Sequence, residues 1–256
     1  MIAPISQWQF FTGKEEGMPA QDEVDLDRLR AAFEGAYPHQ VLRWAAETFG
    51  QKLAVVTSFG PTGIVTLHML SQIAPETPVL TLDTGLLFDE TYELIEQVEN
   101  RLRIRVTHVR PERTVDEQAA LYGDALWKRD PDKCCFMRKT VPLGRVLDGY
   151  AAWIAGLRRD QSPQRALTPI IARDSRYGLL KINPLADWTE DMVWTYIHVH
   201  ELPYNKLHNQ GYRSIGCRTC TQASAGEGDS REGRWSWSSK TECGIHLAAS
   251  EAERGL

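Results

Sequence analysis

Hydrophobic positions along the chain first repeat at helical spacing. Within residues 25–33, Leu26, Leu29, Ala32 and Phe33 fall on one face of an amphipathic helix. A second helix is predicted over 40–49, where Gly50 is suited to a left-handed cap.

Short apolar runs then alternate with helical segments. Strands are predicted at 53–58, 78–83, 103–109 and 151–156, with helices at 64–73 and 88–102 between them. Residues 172–183 hold two short segments around a turn at Tyr177–Gly178, and Thr189 caps a helix over 189–200. Apolar runs separated by helices are typical of a parallel sheet covered on both faces. The predicted fold is therefore a Rossmann-like α/β sheet with helices on both faces.

Composition sets the domain organisation and excludes some functions. We expect an N-terminal arm (1–23), one main domain (24–222), and a flexible linker with a mobile C-terminal tail (223–256), because residues 223–233 are rich in Gly, Ser and charge. The net charge of -5 argues against a nucleic-acid-binding protein. No apolar run reaches the ~18 residues of a membrane span, so we expect no membrane contact. The N-terminus lacks a signal-peptide pattern, which predicts a cytoplasmic protein.

Three polar segments follow predicted strands, where α/β sheets bind ligands. The turn 58–63 (SFGPTG) opens a helix and offers backbone N–H groups to an anion, although a simple tight turn is the alternative. Asp83 and Gly85 follow the second strand, where an Asp-capped turn by itself explains the carboxylate better. The segment 156–165 carries three arginines in an acidic protein, and arginine forks match sulfate and phosphate oxygens.

The five cysteines indicate metal binding and nucleophilic chemistry. Five is an odd number, which excludes a complete disulfide framework. Cys134 and Cys135 are adjacent, and Cys217 and Cys220 form a CxxC pair, so four thiolates could hold an iron–sulfur cluster or structural zinc. Adjacent side chains diverge, which favours the larger cluster without excluding zinc. Lys139, after the tandem pair, would offset thiolate charge or face a substrate anion.

Cys243 stands apart from the other four cysteines, beyond the predicted linker. Its neighbours Lys240 and His246 are polar, and this setting predicts an exposed thiol. Nearby positive charge would populate the thiolate, the nucleophilic form of cysteine.

These motifs, in this order, resemble the thioredoxin-dependent adenylyl-sulfate reductases, in the branch of the sulfonucleotide reductases that carries a [4Fe-4S] cluster. The resemblance covers roughly residues 40–247 and rests on SFG (58–60), LDTG (82–85), CC (134–135), RRDQSPxR (158–165), DWT (187–189), GCxxC (216–220), REGRW (231–235) and KxECGxH (240–246). It implies an adenine-nucleotide α-hydrolase-like fold.

The resemblance also implies a reaction. Adenosine 5′-phosphosulfate would be reduced to sulfite and AMP through an S-sulfocysteine on Cys243, with thioredoxin (or glutaredoxin) as electron donor, in sulfate assimilation toward cysteine. One [4Fe-4S] cluster per subunit would be held by the four other cysteines. The expected substrate ligands are Ser58, Gly60, Asp83, Gly85, Lys139, Arg158, Arg165, Arg231, Arg234 and His246.

Three alternatives stay open at this point. The SFG form of the first loop also resembles the branch that reduces 3′-phosphoadenosine 5′-phosphosulfate, so that substrate, or both, would fit. An ATP-dependent thiolation enzyme should carry an SGGxDS loop, which this chain lacks. A zinc-stabilised binding module would use the same cysteines. The sequence leaves open whether the chain forms homo-oligomers.

Overall fold

The structure, a computed structural model, describes residues 25–224 and 230–247. The predicted N-terminal arm (1–23), residues 225–229 of the predicted linker and the last residues of the tail lie outside this part of the chain. None of the helices formed by the described residues combines the length and apolar character of a membrane span.

Helices and strands alternate through most of the chain, as predicted. The helices are α1 (Leu26–Phe33), α2 (Pro38–Phe49), α3 (Pro61–Ile73), α4 (Asp89–Leu102), α5 (Val115–Tyr122), α6 (Leu126–Arg129), α7 (Pro131–Cys135), α8 (Val141–Leu147) and α9 (Glu190–Val199). The strands are β1 (Leu53–Val56), β2 (Val79–Leu82), β3 (Val106–Val109), β4 (Ala152–Ile154), β5 (Ile171–Arg173) and β6 (Leu180–Ile182).

The six strands form one sheet in the order β3-β2-β1-β4-β6-β5. Every neighbouring pair is parallel except β5 and β6, the two short segments around the turn at Gly178, which pair antiparallel. The first strand, β1, lies in the interior of the sheet and pairs with β2 on one side and β4 on the other. This order places the loops after β1 and β4 side by side at the carboxyl edge.

Side chains alternate between the two faces of the sheet, and each face has its own core. Leu53 and Val55 of β1 pack with residues of α2, α3, α4 and α9. Ala54 and Val56 pack on the opposite face with α8, around the fully buried Trp153. A strand buried on both faces reads as a continuous apolar run, which is why LAVV is uniformly hydrophobic.

The main difference from the predicted elements is the helical segment between β3 and β4. Four short helices and a π-helical turn (Phe136–Thr140) occupy this stretch, for which the hydrophobic pattern predicts no element. The first of them, α5, begins with a capping box in which Thr114 and Glu117 exchange side-chain and backbone hydrogen bonds. Short helices lack the long apolar periodicity on which the prediction depends.

Side chains cap exposed backbone groups at both edges of the sheet. At the β3 edge, the backbone N–H of Val106 donates to Oε1 of Glu99 at 2.8 Å. At the β5 edge, Nε of Arg30, from α1, donates to the carbonyl oxygen of Ile171 at 3.0 Å.

Candidate active site

A pocket opens at the carboxyl edge of the sheet, above β1 and β4, where open α/β sheets bind ligands. The loops after both strands line it, and the C-terminal segment 230–247 covers it. Ten residues predicted from the sequence lie in its wall: Ser58, Gly60, Lys139, Arg158, Arg165, Cys217, Arg231, Arg234, Cys243 and His246. The structure therefore gathers residues from distant parts of the chain, from Ser58 to His246.

The loop between β1 and α3 presents a helix N-terminus to the pocket. Gly60 is the N-cap of α3, and Pro61 occupies its first turn. Gly63 packs against Thr57 so tightly that a methyl group at position 63 would lie 2.2 Å from Oγ1 of Thr57. Phe59 adopts a left-handed φ of 57° with its side chain buried. Free N–H groups and the helix dipole make this loop favourable for an anion.

The cationic side chains in the pocket differ in how they are used. Arg158 is buried, and protein acceptors already bind its guanidinium group: Nε donates to Asp160 at 2.9 Å and Nη1 donates to Thr62 at 2.6 Å. The side chain of Arg234 donates only to Ser214, at 3.5 Å, among the described residues. The ammonium group of Lys139 has no hydrogen bond within the described part of the chain. Lys139 and Arg234 thus retain donors for a bound anion.

Asp83 and Gly85 lie in the turn after β2 but outside the pocket wall. The carboxylate of Asp83 accepts hydrogen bonds from the hydroxyl of Tyr92 at 2.6 Å, from Nε of Arg110 at 2.9 Å and from the backbone N–H of Gly85. Burial opposes its ionisation, yet these donors lower the pKa of Asp83 below its usual range. The structure does not bring Asp83 to the pocket, because local and long-range partners already use both oxygens.

Four buried cysteines come together beside the pocket. Cys134 and Cys135 end α7, and Cys217 and Cys220 flank a single 3₁₀ turn. Three of them, Cys135, Cys217 and Cys220, pack in one cluster with Cys243, Leu86 and Trp235. Across the described residues, no three Cys, His, Asp or Glu side chains are arranged as ligands around one point. The donor set itself, four buried thiols beside a lysine, fits the chemistry of an iron–sulfur cluster.

The thiol of Cys243 is buried, contrary to the exposure expected from its polar neighbours. Only 9% of the residue is accessible, because the tail folds back onto the body. A hydrogen bond from Cys135, the charge of Lys139 and the backbone N–H of Ile245 outweigh burial and hold the pKa of Cys243 well below its usual range. Burial opposes the charge on Lys139, but the sulfurs of Cys217, Cys243 and Cys135 raise its pKa.

His246 sits in a buried polar cluster at the other end of the tail. Its Nδ1 lies 3.2 Å from Nζ of Lys181, which is also 3.7 Å from Asp174. Its ring is parallel to that of Trp153, with centroids 6.2 Å apart. Burial and the charge of Lys181 lower the pKa of His246 well below its usual range, so the imidazole is neutral.

With this geometry established, comparison with known proteins identifies the family. Residues 52–223 match the phosphoadenosine phosphosulfate reductase domain family. The chain belongs to this family. A curated adenosine 5′-phosphosulfate reductase of Salinibacter ruber is 50% identical over 244 residues, which cover 95% of this chain and 96% of that protein. A protein of the same name from Halalkalibacterium halodurans is 47% identical over 88% of this chain and 97% of its own length.

Solved structures agree with the family assignment. The phosphoadenylyl-sulfate (PAPS) reductase of Candida auris, in a phosphate complex, superposes with a TM-score of 0.71 at 32% identity, over 80% of this chain and all of that one. The FMN adenylyltransferase of Candida glabrata shares the fold alone, with a TM-score of 0.53 at 12% identity over 92% of this chain and 82% of its own. The expected adenine-nucleotide α-hydrolase-like fold is confirmed.

Two residues in and beside this reductase-family pocket were not predicted from the sequence. Glu242 is buried against Arg165 and Arg231. Lys181 contacts His246 from β6. The only sequence signal for Glu242 was its place between Thr241 and Cys243 in an otherwise cationic region. The sequence around Lys181 carried no signal, because the partners of Lys181 come from distant segments.

Proposed function

We propose that the protein reduces adenosine 5′-phosphosulfate to sulfite and AMP. The observation that carries the proposal is the Cys243 thiol, which faces a pocket whose Lys139 and Arg234 have hydrogen-bond donors to spare. Relatives at 45–50% identity bear the name adenosine 5′-phosphosulfate reductase, which supports this substrate.

The first step is a nucleophilic displacement at sulfur. The Cys243 thiolate attacks the sulfuryl sulfur, the bond from sulfur to the bridging oxygen breaks, and AMP leaves with that electron pair. The product is an S-sulfocysteine, in which Sγ carries an SO₃⁻ group. Lys139 and Arg234 would neutralise the sulfuryl oxygens, which otherwise repel an approaching thiolate. Ser58 and Gly60 would hold the 5′-phosphate at the start of α3.

The second step needs an external dithiol, which we assign to thioredoxin or glutaredoxin. One of its thiolates attacks Sγ of Cys243, and sulfite departs with the electron pair of the S–S bond. The second thiol then resolves the mixed disulfide. Two thiols are oxidised to one disulfide and the sulfuryl sulfur gains two electrons. Because Cys243 is buried, the tail must move away from the body before the dithiol can reach it. In this role the protein would act in the cytoplasm, in sulfate assimilation toward cysteine.

We further propose that Cys134, Cys135, Cys217 and Cys220 hold one [4Fe-4S] cluster. Bound there, the cluster would supply structural cross-linking and a local charge next to the pocket. The burial of all four thiols and the proximity of Lys139 to Cys217 and Cys135 support this assignment. As a cluster ligand, Cys135 would no longer donate a proton to Cys243, whose thiolate would then be stabilised by Lys139 and the backbone N–H of Ile245.

The proposal is tested by steady-state sulfite release with two nucleotides in parallel. With thioredoxin present, kcat/KM for adenosine 5′-phosphosulfate should exceed that for 3′-phosphoadenosine 5′-phosphosulfate by at least about tenfold. The second nucleotide is the alternative substrate, favoured by the name of the 32%-identical Candida auris structure, and a reversed ratio would establish it. Absence of sulfite with both nucleotides would reject the reductase function.

A further inference from the structure

The carboxylate of Glu242 joins the C-terminal segment to the body of the protein. Its Oε2 accepts from Nε of Arg165 at 2.6 Å, and its Oε1 accepts from Nη2 of the same residue at 2.8 Å. Oε1 also accepts from Nη2 of Arg231 at 3.0 Å and from the backbone N–H of Cys243 at 2.7 Å. Glu242 and Arg165 are both buried, so this is a bidentate, desolvated ion pair rather than a surface contact.

This pair leaves Arg165 little capacity to bind a substrate. Nε and Nη2 form the edge that could bind an oxyanion through two hydrogen bonds, and both donate to Glu242. Nη1 donates to Oε1 of Gln161. Lys139 and Arg234, by contrast, keep donors that no described side chain occupies beyond the 3.5 Å contact of Arg234 with Ser214. Of these three cationic residues, Lys139 and Arg234 can therefore meet the substrate anion, whereas Arg165 is committed to the tail.

The tail needs such a contact because regular structure does not hold it. None of the described residues 230–247 belongs to a helix or strand, and an isolated bridge between Thr221 and Arg234 is the tail's only β pairing there. The position of the segment therefore depends on side-chain contacts. Glu242 directly precedes Cys243 and binds its N–H, so the ion pair fixes the backbone that carries the thiol.

We propose that Arg165 and Glu242 are positioning residues, whose buried ion pair holds Cys243 in the pocket, and that Arg165 acts on the reaction through Glu242 rather than by binding a substrate oxygen. The role of the pair in catalysis rests on the proposed function. Its role in holding Cys243 does not, and it can be measured without any nucleotide.

The test is the rate at which iodoacetamide alkylates Cys243 in the full-length protein, followed by mass spectrometry of the tail peptide. Rates are compared at the plateau of the pH profile, where the thiol is fully ionised and a change in its pKa no longer alters the thiolate fraction. Glu242→Gln and Arg165→Met should each raise the plateau rate about tenfold, because the tail opens more often. The double variant should be no faster than the faster single variant, since both changes break the same contact.

The matched control is Glu93→Gln, which removes the same charge from an exposed ion pair with Lys206 and should leave the rate unchanged. If either main variant fails to fold, Arg165→Lys is used instead. It keeps the positive charge but cannot donate the two parallel hydrogen bonds of a guanidinium group, and its Cys243 alkylation rate should be intermediate. In turnover, Arg165→Met should lower kcat and leave KM within about twofold.

Three results would overturn the proposal. The first is an unchanged plateau rate of Cys243 alkylation in the folded Glu242→Gln variant, even if the midpoint of its pH profile moves. The second is an unchanged plateau in Arg165→Met with nucleotide affinity reduced tenfold or more, which would make Arg165 a substrate ligand. The third is tighter nucleotide binding by Glu242→Gln without faster alkylation, which would make Glu242 a competing anion. A wild-type protein that alkylates as expected but forms no sulfite would reject the proposed function and leave the positioning role intact.

Discussion

Gly216 lies directly against the guanidinium group of Arg234. A methyl group at position 216 would be 2.3 Å from Nη2 and 2.6 Å from Cζ of that side chain, well inside contact distance. Both residues line the pocket. A residue without a side chain at position 216 is thus what lets Arg234 reach the place where the substrate anion is proposed to bind.

Gly216→Ala should therefore impair nucleotide binding by displacing Arg234. A hydrogen bond to a charged group contributes about 1.5–3 kcal/mol, which corresponds to roughly a tenfold to hundredfold loss of affinity. We expect Gly216→Ala and Arg234→Ala to give similar losses in calorimetric titration with adenosine 5′-phosphosulfate. Gly149→Ala is the control, because nothing lies within 4 Å of a methyl group there. Unchanged affinity in Arg234→Ala would remove this residue from the substrate site.

Cys243→Ser should abolish sulfite formation while leaving nucleotide binding intact, because a serine hydroxyl is not ionised near neutral pH. The wild-type protein, mixed with adenosine 5′-phosphosulfate without thioredoxin, should release about one AMP per site and stop. Mass spectrometry should then find an added SO₃ on the peptide that contains Cys243. A sulfonate on another cysteine, or none after stoichiometric AMP release, would contradict the mechanism.

Cys217→Ser and Cys134→Ser should each reduce bound iron and acid-labile sulfide, and activity with them, because one missing thiolate leaves an iron without its ligand. The measurement is iron and sulfide content with visible absorption after anaerobic purification. Cys243→Ser, the fifth cysteine, is the matched control and should keep both. Full iron and turnover in the serine variants would disprove the ligand assignment, and a colourless, zinc-loaded wild-type protein would favour the zinc-stabilised module.

The buried ammonium of Lys181 should give the stability a distinctive alkaline dependence. Burial lowers the pKa of Lys181 to about 8, whereas an unfolded lysine has a pKa of ~10.4. Between these values the folded protein has released a proton that the unfolded chain still holds, so the free energy of unfolding rises with pH. Across this pH range the free energy of unfolding increases by about 3 kcal/mol in total.

Urea denaturation between pH 7 and pH 11 measures this effect. The stability of the wild type relative to Lys181→Met should increase from about pH 8 to about pH 10 and then level off. Lys206→Met, which removes an exposed lysine, should give no such change in that window. A constant difference between wild type and Lys181→Met would show that the group keeps an ordinary pKa.

The hydrophobic pattern predicted most of the fold because its strands are buried on both faces and its longer helices are amphipathic. The stretch before β4 was missed for the opposite reason, since its helices have four to eight residues each. Its beginning was nevertheless encoded locally, by the spacing of Thr114 and Glu117 in a capping box. Thr114 thus carried a signal that hydrophobic periodicity alone does not detect.

The candidate site was predictable in its residue types but not in its pairings. The order of motifs identified the cysteines and the cationic loop, and the structure brings Ser58 and Cys243 to one pocket. Which cation meets which anion depends on the tertiary fold. Asp83 accepts hydrogen bonds from Tyr92 and Arg110, and sequence spacing carries no information about contacts of that kind.

The caps at the two sheet edges bear on how the protein behaves in a concentrated solution. β3 has four residues and β5 has three, and Glu99 and Arg30 already occupy backbone groups there. A strand from a second molecule would have to displace these side chains before it could pair, and it would gain few hydrogen bonds in return. Within the part of the chain that the structure describes, each edge of the sheet is therefore a less favourable site for intermolecular β-aggregation from the native state.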